Sequence, residues 1–106
     1  MASAVDLPHP AASDITLGGI LFALSDPERL AIARQVSGGP TDMAACAATD
    51  PDMPKSTRSH LFKVLRENGV IRNEPNGRRR TISLRRDEID ERFPGLLDAI
   101  LGASAE

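Results

Sequence analysis

The stretch PKSTRSHLFKVLRENGVIRNEPNGRRRTISLRR, residues 54–86, decides the fold. Pro54 suits a helix start, where its missing N–H costs nothing, and the helical stretch it opens runs to Asn68-Gly69, a good C-terminal stop. Polar residues fill the first two turns (Lys55, Ser56, Thr57, Arg58, Ser59, His60), and the apolar Leu61, Phe62, Val64 and Leu65 follow. The first half of such a helix faces outward and the second half anchors it, a division suited to entering a DNA major groove. Taken alone, the helix reads equally well as an amphipathic surface helix. Val70 and Ile71 then enter a strand, Pro75-Asn76-Gly77 makes a turn, and Thr81-Ile82-Ser83-Leu84 alternates as a returning strand. Arg78, Arg79 and Arg80 are expected on the hairpin tip, crowded with like charge unless an anion is near. A helix-turn-helix followed by an arginine-tipped hairpin is a winged helix.

Charge along the chain agrees with this. From Lys55 to Arg86 there are ten basic residues against Glu67 and Glu74, a formal charge of +8. The remaining three basic and thirteen acidic residues give −10, so the overall −2 conceals one basic segment in an acidic body. A polyanion is drawn to that segment and repelled by the rest. A charge run by itself is also compatible with a plain solvated surface.

Upstream, residues 1–13 (MASAVDLPHPAAS) carry two prolines and no helical period and are expected to form a mobile arm, with His9 solvated. Residues 14–106 form the folded unit. Asp14 is expected to cap a first helix with Ile15, Leu17, Ile20, Leu21 and Leu24 at helical spacing. Gly18-Gly19 weakens that helix, so packing must hold it, which makes it a candidate dimer element. Ser25-Asp26-Pro27-Glu28 starts a second helix with Leu30, Ile32, Ala33 and Val36 on its core face, ending at Gly38-Gly39-Pro40. A third, capped by Thr41 or Asp42, is expected over Met43 to Ala48, with Cys46 inward as a small apolar residue. After Asp87, the apolar residues Ile89, Phe93, Leu96, Leu97, Ile100 and Leu101 form a stripe that Pro94-Gly95 should kink or restart.

At 106 residues the chain has room for one compact domain, for which a partner subunit would enlarge the buried core. With three Phe and no Trp or Tyr, stacking on single-stranded RNA is disfavoured. A lone cysteine forms no intrachain disulfide and no thiolate cage. The N-terminus lacks the order of a signal peptide and no apolar run is long enough to span a bilayer, so a cytoplasmic location is expected. No nucleophile with a local base, phosphate-cradling glycine loop or acid pair is evident, so an enzyme is not expected.

The stretches ALSDPERLAI (23–32), KSTRSHLFKVLRENGVI (55–71) and NGRRRTISLR (76–85) together resemble the ArsR/SmtB family of dimeric bacterial winged-helix repressors. The resemblance implies a mainly α fold with a β-hairpin (α+β), about five helices plus a two-stranded wing, dimeric through its terminal helices. It implies a sequence-specific repressor on a palindromic operator in double-stranded DNA. Lys55, Ser56, Thr57, Ser59 and His60 become the groove-facing candidates, with Lys63 beside them and Arg78, Arg79 and Arg80 on the wing. Arg58 departs from the family, which has an apolar residue there, and is expected to snorkel from the core toward phosphate. Ile15, Ile20, Leu21, Phe93, Leu96, Leu97 and Ile100 are the candidate dimer interface, setting two recognition helices about 34 Å apart.

Many relatives sense metal through cysteines at positions matching Asp42 and Ala44. Those thiolates are missing here, and the carboxylates of the C-terminal helix (Asp87, Glu88, Asp90, Glu91, Asp98) lack a histidine, so no metal site and no cofactor are expected. An unidentified small-molecule effector remains open as a partner. So do two other readings: a protein–protein module, with the hairpin arginines on an acidic partner, and a metal- or redox-responsive repressor.

Overall fold

A computed structural model describes residues 6–46 and 50–103. Helix α1 spans Leu17–Leu24 and α2 spans Pro27–Val36. A two-residue strand β1 (Thr41–Asp42) and a 3-10 turn (Met43–Ala45) lead to α3 (Lys55–Glu67). The hairpin β2 (Ile71–Asn76) and β3 (Arg79–Leu84) follows, then α4 (Arg86–Arg92) and α5 (Leu96–Leu101). The result is a winged helix-turn-helix whose helices surround one core, with Ile20, Ile32, Leu65, Ile71, Ile82, Ile89 and Leu97 fully buried.

Local chemistry sets the boundaries. Asp26 caps α2 by accepting from the backbone N–H groups of Glu28 and Arg29, with Pro27 in the first turn. Helix α3 ends where Gly69 takes φ +79°; a Cβ there would meet Ile15 Cγ1 at 2.5 Å, so only glycine lets the chain pass. Gly95, at φ +82°, restarts the C-terminal stripe as α5. Helix α1 is capped by Thr16 rather than Asp14, its hydroxyl accepting from Gly19 N–H at 2.9 Å. Asp14 lies in a separate 3-10 turn, Ala12–Asp14, and Ile15 precedes the helix.

Further expectations are corrected. The third helix shrinks to the turn Met43–Ala45, with Cys46 extended and buried; Ala47 and Ala48 lie outside the described residues. Arg58 Nη2 donates to the carbonyls of Met43 (2.8 Å) and Cys46 (2.9 Å), which satisfies backbone acceptors where the short turn ends. The sheet has three strands, in the order β1-β3-β2, because Thr41 and Asp42 pair with Ile82 and Thr81. The hairpin turn is also tighter than expected. Asn76 pairs with Arg79, so the loop is Gly77-Arg78 with only Gly77 at positive φ (+63°), the Gly-first pattern of a II′ hairpin. Pro75 and Asn76 therefore belong to β2, and Arg79 and Arg80 to β3; only Arg78 is in the loop itself, with Arg79 beside it in the last pair at the hairpin tip.

Residues 6–13, expected to have little structure, lie against the domain, while Met1–Val5 are outside the described residues. Arg66 donates to the Pro8 carbonyl (2.5 Å), Arg85 to that of Pro10 (2.8 Å) and Arg92 to those of Ala12 and Ile15. His9 is not merely solvated: its Nε2 accepts from Asn73 N–H at 3.0 Å.

Candidate nucleic-acid interface

The two halves of α3 differ as a groove-entering helix requires. Lys55, Ser56, Thr57, Ser59, His60 and Lys63 are exposed, while Leu61, Phe62, Val64, Leu65 and Arg66 are buried. No acidic residue sits in its first turn, so its N-terminal N–H groups and Lys55 present an uncompensated positive end. Helix α4 differs, with Asp87 and Glu88 in its first turn.

Between this end of α3, the 3-10 turn and β3 lies an open cavity of about 580 Å³. Lys55, Arg58, Ser59, Arg78, Arg79 and Arg80 line it, and Asp42 is the one carboxylate among its lining residues. The tight hairpin turn explains this placement: β3 pairs with β1, which immediately precedes the 3-10 turn, so the wing arginines are brought beside the start of α3. Arg79, its side chain 76% exposed, pairs with Asp42 at 3.0 Å. Asp42 also accepts from Ala44 N–H, so the carboxylate is fixed by its own turn. Arg80 is turned along the sheet, Nε donating to Asn73 Oδ1 at 2.6 Å and Nη2 to the Asn73 carbonyl at 3.0 Å.

Arg58 does not snorkel toward the exterior as expected. Its guanidinium holds the Met43 and Cys46 carbonyls and lies 5.8 Å from the centre of the Phe62 ring, fastening the turn to α3. Its inward role had a sequence signal, a charged residue on the apolar side of the helix.

At the base of the hairpin, Glu88 bonds Arg72 (2.6 Å) and Arg85 (2.7 Å). The Arg85 hydrogen bond, more than any other cause, holds the Glu88 carboxyl below the usual carboxylate range, with burial acting the other way. Among the described residues no group of three or more His, Cys, Asp or Glu is placed to hold a metal.

The residues expected at a dimer interface separate. Ile15, Ile20 and Leu97 are buried in the chain's own core, and Phe93, Leu96 and Ile100 pack partly against it. Leu21 is exposed, and with Leu17 and Phe22, which the expected set omitted, it forms an apolar face on α1. Among the described residues no helix is long and apolar enough to cross a membrane.

No family model matches the chain. It is 33% identical over 82 residues to the HTH-type transcriptional regulator YceK of Bacillus subtilis, itself uncharacterised, covering 76% of this chain and 82% of that protein. A crystal structure of an ArsR family transcriptional regulator superposes with a TM-score of 0.63 at 27% identity, covering 83% of this chain and 98% of the other. With its helix-turn-helix, its paired wing and this kinship, the chain belongs to the ArsR-type winged helix-turn-helix transcriptional regulators.

Proposed function

We propose that this regulator binds double-stranded operator DNA as a homodimer and represses transcription from it. The observation that carries the reading is the cationic cavity between the start of α3 and the wing, where Lys55, Arg78, Arg79 and Arg80 meet one carboxylate, Asp42. Phosphates bridging helix and wing would position the domain, and Ser56, Thr57, Ser59 and His60 on the exposed turns would contact base edges. The apolar face of Leu17, Leu21 and Phe22 supports a two-fold partner, since an isologous dimer would cover it. The operator is then an imperfect palindrome.

Electrophoretic competition tests this: a palindromic fragment from beside its own gene should resist displacement by bulk DNA. Equal displacement from both would remove the sequence-reading claim, and retention of neither would remove DNA altogether. Sedimentation of the full chain should show a dimer, which Phe22→Glu reduces to monomers.

A further inference from the structure

The polar contacts on the far side of the hairpin are not explained by that groove. In the sheet order β1-β3-β2, β2 is an edge strand, and Asn73 stands opposite Ile82 between the pairs Arg72–Ser83 and Glu74–Thr81. Its backbone N–H is turned away from β3 and donates to His9 Nε2 at 3.0 Å. Residues on either side of His9 are held as well, Pro8 by Arg66 of α3 and Pro10 by Arg85 after β3. Asn73 is 4% exposed and grips Arg80 twice, through its side-chain oxygen (2.6 Å) and its carbonyl (3.0 Å). Arg80 in turn lines the cavity with Lys55, Ser59 and Arg78. One buried residue thus faces the N-terminal segment with its N–H and a groove arginine with both its oxygens.

We propose that Asn73 is a positioning residue that couples docking of the N-terminal segment, through His9, to the orientation of Arg80 at the DNA groove, so that removing or protonating His9 weakens DNA binding. The proposal rests on the DNA-binding reading above. Its chemistry is that of the imidazole: Nε2 accepts from a backbone N–H only while unprotonated, and in the imidazolium both ring nitrogens are donors, leaving N–H against N–H. Around His9 stand Arg66 from α3, Arg72 and Glu74 from β2 and Arg85 from the end of β3, with Asp6 of its own segment lining the same hollow. Burial first, then the three arginines, hold its pKa below the ordinary value, while Glu74 opposes them. A histidine whose docked pKa is depressed favours docking fully above its free value of about 6.5 and loses that contribution as pH falls through the docked value.

The test uses the full chain in a His60→Asn background, which leaves His9 as the one imidazole of the chain. Binding to a random-sequence duplex is compared for His9→Ala, Arg80→Ala and the double variant at neutral pH. His9→Ala is expected to weaken binding about five-fold, the scale of one hydrogen bond, and to have no effect once Arg80 is alanine. His9→Gln, which keeps an acceptor and does not titrate, should bind as tightly and lose the decline in affinity at mildly acidic pH. A second readout needs no DNA: in the free chain the 15N resonance of Arg80 Nε should follow the His9 titration and stand still in His9→Gln. Equal effects of His9→Ala with and without Arg80, or an Arg80 Nε indifferent to His9, would overturn the coupling. If Arg80 Nε follows His9 but no duplex is bound, the coupling stands and the DNA reading of the groove fails.

Discussion

The arginines at the base of the hairpin and those at its tip come from one run of sequence and face different chemistry. At the base, Arg66 and Arg85 are buried, and each donates to a backbone carbonyl of the N-terminal segment; Arg85 and Arg72 share Glu88. At the tip, Arg78 is exposed and Arg79 meets only the edge of the domain at Asp42. Arg58, at the start of α3, sides with the base, since its guanidinium holds two carbonyls of its own chain. The +8 carried by residues 55–86 is therefore not +8 toward a ligand. Part of it holds the fold together, and Lys55, Lys63, Arg78 and Arg79 are the exposed cations of helix and wing.

The most direct way to break this comparison is at the base. Arg85→Ala leaves the Pro10 carbonyl without its donor and Glu88 with one cation fewer, and should cost about 3 kcal/mol of stability. Urea unfolding measures that loss. The folded fraction should keep its salt dependence of DNA binding; a flattened slope would mean that Arg85 reaches phosphate after all.

Next in size are the exposed turns of α3. Single alanine substitutions at Ser56, Thr57, Ser59 or His60 should cost about 1–3 kcal/mol at one operator position and leave random DNA nearly unaffected. If all four weakened specific and random duplexes alike, α3 would be positioning the domain without reading sequence.

At the tip, the Arg78→Ala/Arg79→Ala pair should weaken binding to every duplex. It should flatten the slope of log affinity against log salt by about 0.9 for each phosphate that is no longer neutralised. Thermal stability should hardly move, because an exposed pair such as Arg79–Asp42 is worth about 1 kcal/mol at most. An unchanged salt slope would place the wing off the DNA.

What the sequence disclosed and what it hid follow the same division. Helix α2 announced itself through Asp26-Pro27, and α3 through Pro54 and Asn68-Gly69, because caps and breakers act within a few residues of themselves. The exposed side of α3 was equally legible, since its polar and apolar halves are separated along the chain. Strand β1 was not, being two residues long with partners some forty positions away. The N-terminal segment looked structureless because its partners, Arg66, Asn73 and Arg85, are distant in sequence and bond mainly to its backbone, which every residue shares. Arginine letters alone do not say whether a carbonyl of the same chain lies within reach. The apolar stripes had the same ambiguity: Ile20 and Leu21 are neighbours in one helix, yet the first is fully buried and the second is 47% exposed.

The smallest expected effect distinguishes two acid responses at the hairpin base. Glu88 is held below the ordinary carboxylate value, chiefly by Arg85, so it binds a proton less readily folded than unfolded. Its contribution is therefore complete above the unfolded value of about 4.3 and is lost as pH falls through the lower folded one. Glu88→Gln removes the charge and keeps the shape, and should cost about 1 kcal/mol or less near neutrality, since the carboxylate is 29% exposed and partly screened. That gap should close in urea unfolding as pH falls below the unfolded value and on through the lower folded one, where the native carboxyl is itself being neutralised. A gap that stayed constant with pH would mean Glu88 acts through packing and not through charge. His9, held below its free value chiefly by burial, loses its contact with Asn73 as pH falls through that lowered value, a titration that His9→Gln removes and Glu88→Gln leaves in place.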